Sequence, residues 1–200
     1  MKIIKMMAIV YALVFSATAI AQEKGTSEIS FGYGGATSYE VENTLGDMLS
    51  TIITLGTVSY DDVEYTGAFH AKYKYAIIDN LLVGISGVYE EAEDKERFGS
   101  ANVAKRKSRI YSIALESDYS YINRKHFKVY SGVGLGYRMV DTKSKPTAAS
   151  TDTKISNERT HGLAYHINGI GIRAGRAIGV FVEVGYGYRG IINAGLSIQF

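Results

Sequence analysis

The residues of this chain that could do chemistry recur two apart. His70, Lys72 and Lys74 follow one another at that spacing, as do Glu116 and Asp118, and Arg138, His166, Glu183 and Arg189 fall in segments with the same alternation. Residues i and i+2 of an extended strand share a face, so the spacing gathers both signs of charge on one side of a sheet. An unpaired ion in a narrow interior is costly, whereas arginine–carboxylate pairs with several hydrogen bonds offset much of the desolvation. A filling network of Lys72, Lys74, Glu116, Asp118, Arg138, Glu183 and Arg189 is therefore expected, with a proton or ion pathway as the alternative. Other chemistry finds little support. The sequence has no cysteine and so neither a disulfide framework nor a thiolate metal site. No metal-ligand spacing occurs, and no cofactor is expected. Gly132-Val133-Gly134 sits within a strand pattern rather than before a helix, which argues against a nucleotide loop.

The elements that must position these groups read as eight strands, at 28–36, 67–78, 81–91, 109–122, 126–140, 160–174, 178–188 and 191–200. Tight turns join them at Asp79-Asn80, at Asn123-Arg124-Lys125 and around Gly175-Arg176. The alternate connections run longer, from Thr37 to Thr66, Ala92 to Ser108 and Asp141 to Arg159, and only the last, around Arg189-Gly190, is short. On the fifth strand Phe127, Val129, Val133, Leu135, Tyr137 and Met139 share a face, opposite Lys128, Tyr130, Gly132, Gly134, Gly136 and Arg138. The seventh repeats the pattern, with Ile178, Val180, Val182, Val184, Tyr186 and Tyr188 on the apolar side. Mid-strand glycines facing water would weaken a sheet without packing benefit, but inside a narrow barrel they make room for large neighbours. The glycine face is thus expected inward and the apolar face in lipid. On the sixth strand Ile170 and Ile172 have the wrong parity for lipid, and a bulge near Asn168-Gly169 would restore it.

Both ends of the chain agree with export and membrane insertion. Met1, Lys2 and Lys5 form a basic start, Met6 to Phe15 an apolar stretch, and Ala17, Ala19 and Ala21 a small-residue cleavage pattern. A signal peptide over 1–21 is expected, cut between Ala21 and Gln22, with 22–200 as one barrel domain. The apolar stretch is short of the about 20 residues that a spanning helix needs. Removing Lys2 and Lys5 takes the formal charge from +2 to zero, so no global basic field exists for nucleic acid. At the other end Ile192, Ala194, Leu196, Ile198 and Phe200 alternate with Asn193, Gly195, Ser197 and Gln199, an apolar face that continues to the last residue.

The loops and aromatic residues are individual. Val41, Leu45, Met48, Leu49, Ile52 and Ile53 recur at helical spacing after Glu40 and Glu42, predicting a short amphipathic helix in the first long loop, lying at the membrane interface, over the barrel mouth or against its own loop. The second loop leaves through Glu90, Glu91, Glu93, Asp94 and Glu96 and returns through Lys105, Arg106, Lys107 and Arg109, a pattern for cross-strand ion pairs or a site for charged sugars. Tyr33, Tyr75, Tyr89, Tyr111, Tyr121, Tyr137, Tyr186 and Tyr188 stand near strand ends on the apolar face and predict two aromatic girdles, without any Trp.

The signal, eight strands, loop asymmetry and terminal Phe200 together resemble the small outer-membrane barrels of the OmpA/OmpX type, within the porin-like superfamily. The alternation of Leu196, Ile198 and Phe200 resembles the C-terminal strand that the barrel-assembly machinery reads. The resemblance implies an all-β, eight-stranded antiparallel up-and-down barrel in the outer membrane of a Gram-negative bacterium. Implied partners are outer-membrane lipid and lipopolysaccharide, the assembly machinery and periplasmic chaperones, with the barrel a monomer. No peptidoglycan-binding domain is expected after the barrel. Three functions follow: a structural or surface-interaction barrel working through its loops, a narrow pore for small solutes, and a rim enzyme acting on lipid A. The last is disfavoured, since none of His70, His126, His161 and His166 has a serine two residues away, as the resembling deacylases do.

Overall fold

The computed structural model describes residues 23–44, 58–98, 101–146 and 156–200, and the expected signal segment lies outside them. Nine strands form: β1 (Ser27–Gly35), β2 (Val58–Tyr65), β3 (Ala68–Ile78), β4 (Leu81–Phe98), β5 (Ala101–Arg124), β6 (Phe127–Pro146), β7 (Ser156–Gly175), β8 (Ile178–Gly187) and β9 (Ile192–Gln199). Eight of them close a ring in the order β1-β3-β4-β5-β6-β7-β8-β9, every pairing antiparallel, with β9 returning to β1. The extra strand is a broken half of a longer one. β2 and β3 both pair with β4, and the chain kinks between them at Gly67, whose φ of +71° suits glycine. Tyr33 locks the kink by donating to the Thr66 carbonyl at 2.7 Å.

Closure is stitched at the terminus. The Phe200 N–H donates to the Ser27 carbonyl at 3.0 Å, and the Ser27 N–H donates back to the Phe200 carbonyl at 2.7 Å. Leu196 and Phe200 are exposed on the outside of the sheet, with Ile198 half-buried beside them.

The alternation of the sequence becomes an inside and an outside. Phe31, Ile113, Leu115, Val133, Leu135 and Leu163 stand exposed around the wall. A continuous apolar exterior of this extent is unfavourable in water and suited to lipid. The expected bulge is present: the register of β7 against β8 shifts between Asn168 and Ile170, and Ile170 and Ile172 come out on the apolar exterior. The Ser131 hydroxyl holds the bulge by donating to the Gly169 carbonyl at 2.5 Å.

Two expectations are corrected. The stretches expected as loops all contain strand: β2 occupies Val58–Tyr65 of the 37–66 stretch, and 92–108 and 141–159 largely continue as strands, since β4 runs to Phe98, β5 begins at Ala101, β6 runs to Pro146 and β7 begins at Ser156. These stretches are rich in charged and polar residues and show no apolar alternation, and where their side chains are described ion pairs link them. Lys107 lies 2.9 Å from Glu91 and 3.2 Å from Glu93, Arg109 lies 3.1 Å from Glu91, and Arg159 lies 2.6 Å from Asp141. Tyr188 is the second. It leaves the apolar face because the chain turns at Gly187, φ +144°, and its ring is buried in the barrel.

Candidate functional site: the barrel interior and its mouth

The interior is built in layers. Lys74, on β3, places its ammonium 2.7 Å from Glu116 and 2.6 Å from Asp118, both on β5. Lys72 reaches Glu183 on β8 at 2.8 Å, and its ammonium also sits 4.5 Å from the centre of the Phe181 ring. Arg189 joins the two halves, with Nε 3.3 Å from Glu116 and Nη1 bonded to Glu183. The Tyr130 hydroxyl donates to Glu183 at 2.8 Å, and that of Tyr188 donates to Glu116 at 2.7 Å. Lys72, Lys74 and Arg189 thus meet Glu116, Asp118 and Glu183, three cations with three carboxylates, all buried. His70 and His166 line the same space, their rings 6.1 Å from Phe181 and 5.4 Å from Tyr188.

Arg138 does not join this group. Although its parity is inward, it lies on β6 beyond the ion cluster, half-buried toward the mouth, where Nη2 is 3.3 Å from Glu42 and the guanidinium is 5.6 Å from the Tyr39 ring. Strand parity gives the face but not the height along the barrel. His126 and His161 are exposed near opposite rims, His161 stacked on Tyr137 at 5.5 Å.

A second buried cluster at the tight-turn end was missed in the sequence. Glu28 accepts from Lys128 at 3.1 Å and from Gln199 at 2.6 Å, and Arg173 stands 3.8 Å from it while donating to Ser197 at 2.6 Å. Lys128 was on the inward face by parity, and the bulge at Gly169 is what turns Arg173 inward. Glu28 shares its face with Ser30 and Gly32, a signal that the parity of β1 carried.

Toward the other end apolar side chains pack inside the barrel. Ala68, Val88, Ala114, Ala164 and Tyr188 form one cluster, and Ala92, Ile110 and Val140 another, against which Tyr39 and Tyr65 pack. Tyr39 belongs to α1, the helical turns at 38–44, which accord with the start of the expected helix; Leu45, Met48, Leu49, Ile52 and Ile53 lie outside the described residues. Thr37 caps α1 by accepting from the Glu40 N–H at 3.1 Å and anchors it to the wall by donating to Glu90 at 2.7 Å. The Thr37-x-x-Glu40 pattern is a capping-box signature the sequence offered.

Outside, Tyr33 with Phe69 and Tyr89 with Tyr111 pack at 5.0 and 5.2 Å around the mouth-side rim, while Tyr75, Tyr119 and Tyr121 are exposed toward the opposite one. The fold is that of an eight-stranded membrane β-barrel. Similar solved structures include the N-terminal β-barrel domain of Pseudomonas aeruginosa OprF, at 13% identity over 90% of this chain and 100% of that one, with a TM-score of 0.46. Ail, the attachment invasion locus protein of Yersinia pestis, solved with the heparin analogue sucrose octasulfate, is 16% identical over 88% and 99%, TM-score 0.44. Outer membrane protein OprG of Pseudomonas aeruginosa is 12% identical over 90% and 98%, TM-score 0.45. All three are small eight-stranded outer-membrane barrels. No family model and no curated protein matches the chain. Among the described residues no group of three His, Asp or Glu is placed to hold a metal ion.

Proposed function

We propose that the chain is an integral protein of the bacterial outer membrane, exported by cleavage between Ala21 and Gln22, that works as a closed barrel holding a surface above the membrane rather than as a pore or an enzyme. The observation that carries this reading is an interior occupied by the barrel's own buried side chains. A solute entering from the mouth meets α1, then two apolar clusters, then two buried ion clusters. An eight-stranded barrel is just wide enough for its own side chains, and no displaced pair could be rehydrated without opening the wall. Binding function then falls to what stands outside, the long hairpins of β4 to β7. The apolar exterior and the rings at both rims support residence in a bilayer, and the short turns opposite long strands support an outward orientation of the hairpins. Planar-bilayer recording of the purified protein tests the reading. No sustained conductance is expected, and steady unitary currents would favour the narrow channel instead.

A further inference from the structure

The inner faces of β6 and β7 carry a cavity of about 400 Å³ toward the mouth, whose lining includes Tyr39, Arg106, Arg138, Thr142, Glu158 and Thr160. It starts at the register row that pairs Arg138 with Gly162 and runs outward past Thr160, Thr142 and Glu158, with Arg106 of β5 toward its outer end. Two observations mark its inner end. Gly162 leaves the space beside the guanidinium open: a Cβ there would meet nothing nearer than Arg138 itself, at 3.9 Å. A carboxylate of the chain's own α1, that of Glu42, already rests on Arg138, and it rests there loosely. Only Nη2 reaches it, at 3.3 Å, longer than the about 2.7–2.9 Å of a close charge-assisted bond, and the Glu42 side chain is 44% exposed. The guanidinium itself is steadied by the Tyr39 ring at 5.6 Å, and α1 is tied to the wall through Thr37 and Glu90.

From this we infer that the cavity binds a small, soluble, hydroxylated monocarboxylate, a molecule of sugar-acid size, whose carboxylate takes Arg138 in place of Glu42. The inference deepens the surface reading above and rests on it, since the site lies on the inner face of the same hairpins. Charge selects a monoanion. Arg106 and Arg138 against Glu158 leave one positive charge in excess among the described lining residues, which one carboxylate balances. A dianion would leave the cavity negative beside the buried Glu90. The planar fork of a guanidinium also suits a carboxylate, which it can hold through two parallel bonds where Glu42 uses one. Hydroxyls select the rest of the ligand. Thr142 shares a hydrogen bond with Ser108 at 3.0 Å and keeps further capacity, and Thr160 is exposed along the same path. The volume stands near the lower end of the range of small-molecule pockets, about 300–1,000 Å³, and suits a single ring rather than a chain of them.

The test uses the full mature chain refolded in detergent micelles, with heat-modifiable migration confirming the folded barrel in every variant. Calorimetric titration with glucuronate is compared with glucose, which keeps the hydroxylated ring and lacks the carboxylate, and with inorganic phosphate. The wild type should bind glucuronate saturably, and glucose and phosphate about tenfold more weakly or worse. Arg138→Gln should weaken glucuronate binding about tenfold, through loss of the charge-assisted pair. Glu42→Gln should tighten it about two- to fivefold, because the competing carboxylate is gone. Gly162→Val fills the space beside the guanidinium while keeping every charge, and should weaken binding as Arg138→Gln does. Arg159→Gln, on the outer face of the same strand, should match wild type. Absence of saturable glucuronate binding by the folded wild type, equal binding of phosphate or glucose, or unchanged affinity in Arg138→Gln overturns the proposal. So does weaker binding in Glu42→Gln, which would make that carboxylate part of the site rather than its occupant. Steady bilayer conductance of the same preparation would sink the closed-barrel reading and the proposal with it, whereas a silent barrel that ignores glucuronate sinks the proposal alone.

Discussion

Replacing Glu183 by alanine examines the interior at its most connected point. Glu183 is 0% exposed and accepts from Lys72, Tyr130 and Arg189. In Glu183→Ala the arginine keeps Glu116 at 3.3 Å, but Lys72 is left with only the Phe181 ring face at 4.5 Å. One buried cation without a carboxylate costs about 3–5 kcal/mol in a dry site. The orphaned Tyr130 hydroxyl costs about 1–3 kcal/mol, overlapping with the first because a single entering water relieves both. A net loss of about 4 kcal/mol, with a urea slope of about 2 kcal/mol/M, lowers the unfolding midpoint by about 2 M. The chain has no tryptophan, so far-UV circular dichroism and heat-modifiable gel migration are the readouts. The orphaned cation is the cause, so adding Lys72→Met should recover more than half of the loss. A Glu183→Ala midpoint within roughly 0.3 M of wild type would refute the dry-network reasoning. So would a double variant no more stable than the single one.

Thr37→Ala removes both the cap of α1 and the partner of Glu90, and should destabilise the helix by about 1 kcal/mol or more; faster amide exchange at 38–44 with an unchanged barrel is the expected signature. Phe200→Asp places a charge on the exterior beside the β1–β9 seam and should reduce the yield of folded barrel, measured by heat-modifiable migration in outer-membrane fractions. Glu91, above the rim, has its carboxyl lowered to about 2 by the hydrogen bond from Tyr89 and then by Lys107. Its folded value lies below its ordinary 4.5, so its stabilising contribution is present above that value and is lost as pH falls through about 2. Carboxyl carbon NMR should show Glu91 titrating below the other surface glutamates, and an ordinary midpoint would refute the pairing.

Strand parity made most of the barrel legible, because lipid on one side and a packed interior on the other leave a period of two in the sequence. Lys72, Lys74, Glu116, Asp118 and Glu183 share the inward face for that reason. Parity fails wherever another variable enters. Height along the barrel separates Arg138 from the rest, and a backbone turn at Gly187 reverses Tyr188. The Glu28–Lys128–Arg173 cluster needed three elements together, including the bulge that reorients Arg173. The upper strands were read as loops because their charged and polar residues carry no apolar alternation, leaving only paired charges to mark them.

Several of the ion pairs and hydrogen bonds inside the barrel join residues far apart in the chain. Lys72 meets Glu183 across 111 residues, Lys128 meets Glu28 across 100, and Gln199 meets Glu28 across 171. In an open or half-inserted sheet, each of these polar groups would lie against hydrocarbon or water with its partner still absent. Insertion that proceeds hairpin by hairpin would therefore climb a steep energetic slope until the last strand arrives, and only then descend. Such non-local contacts also slow folding, since their loops must close before any contact rewards them. The interior chemistry thus makes the β1–β9 seam a commitment step. A chain stalled before that seam forms has every reason to leave the bilayer, while a sealed one has almost none.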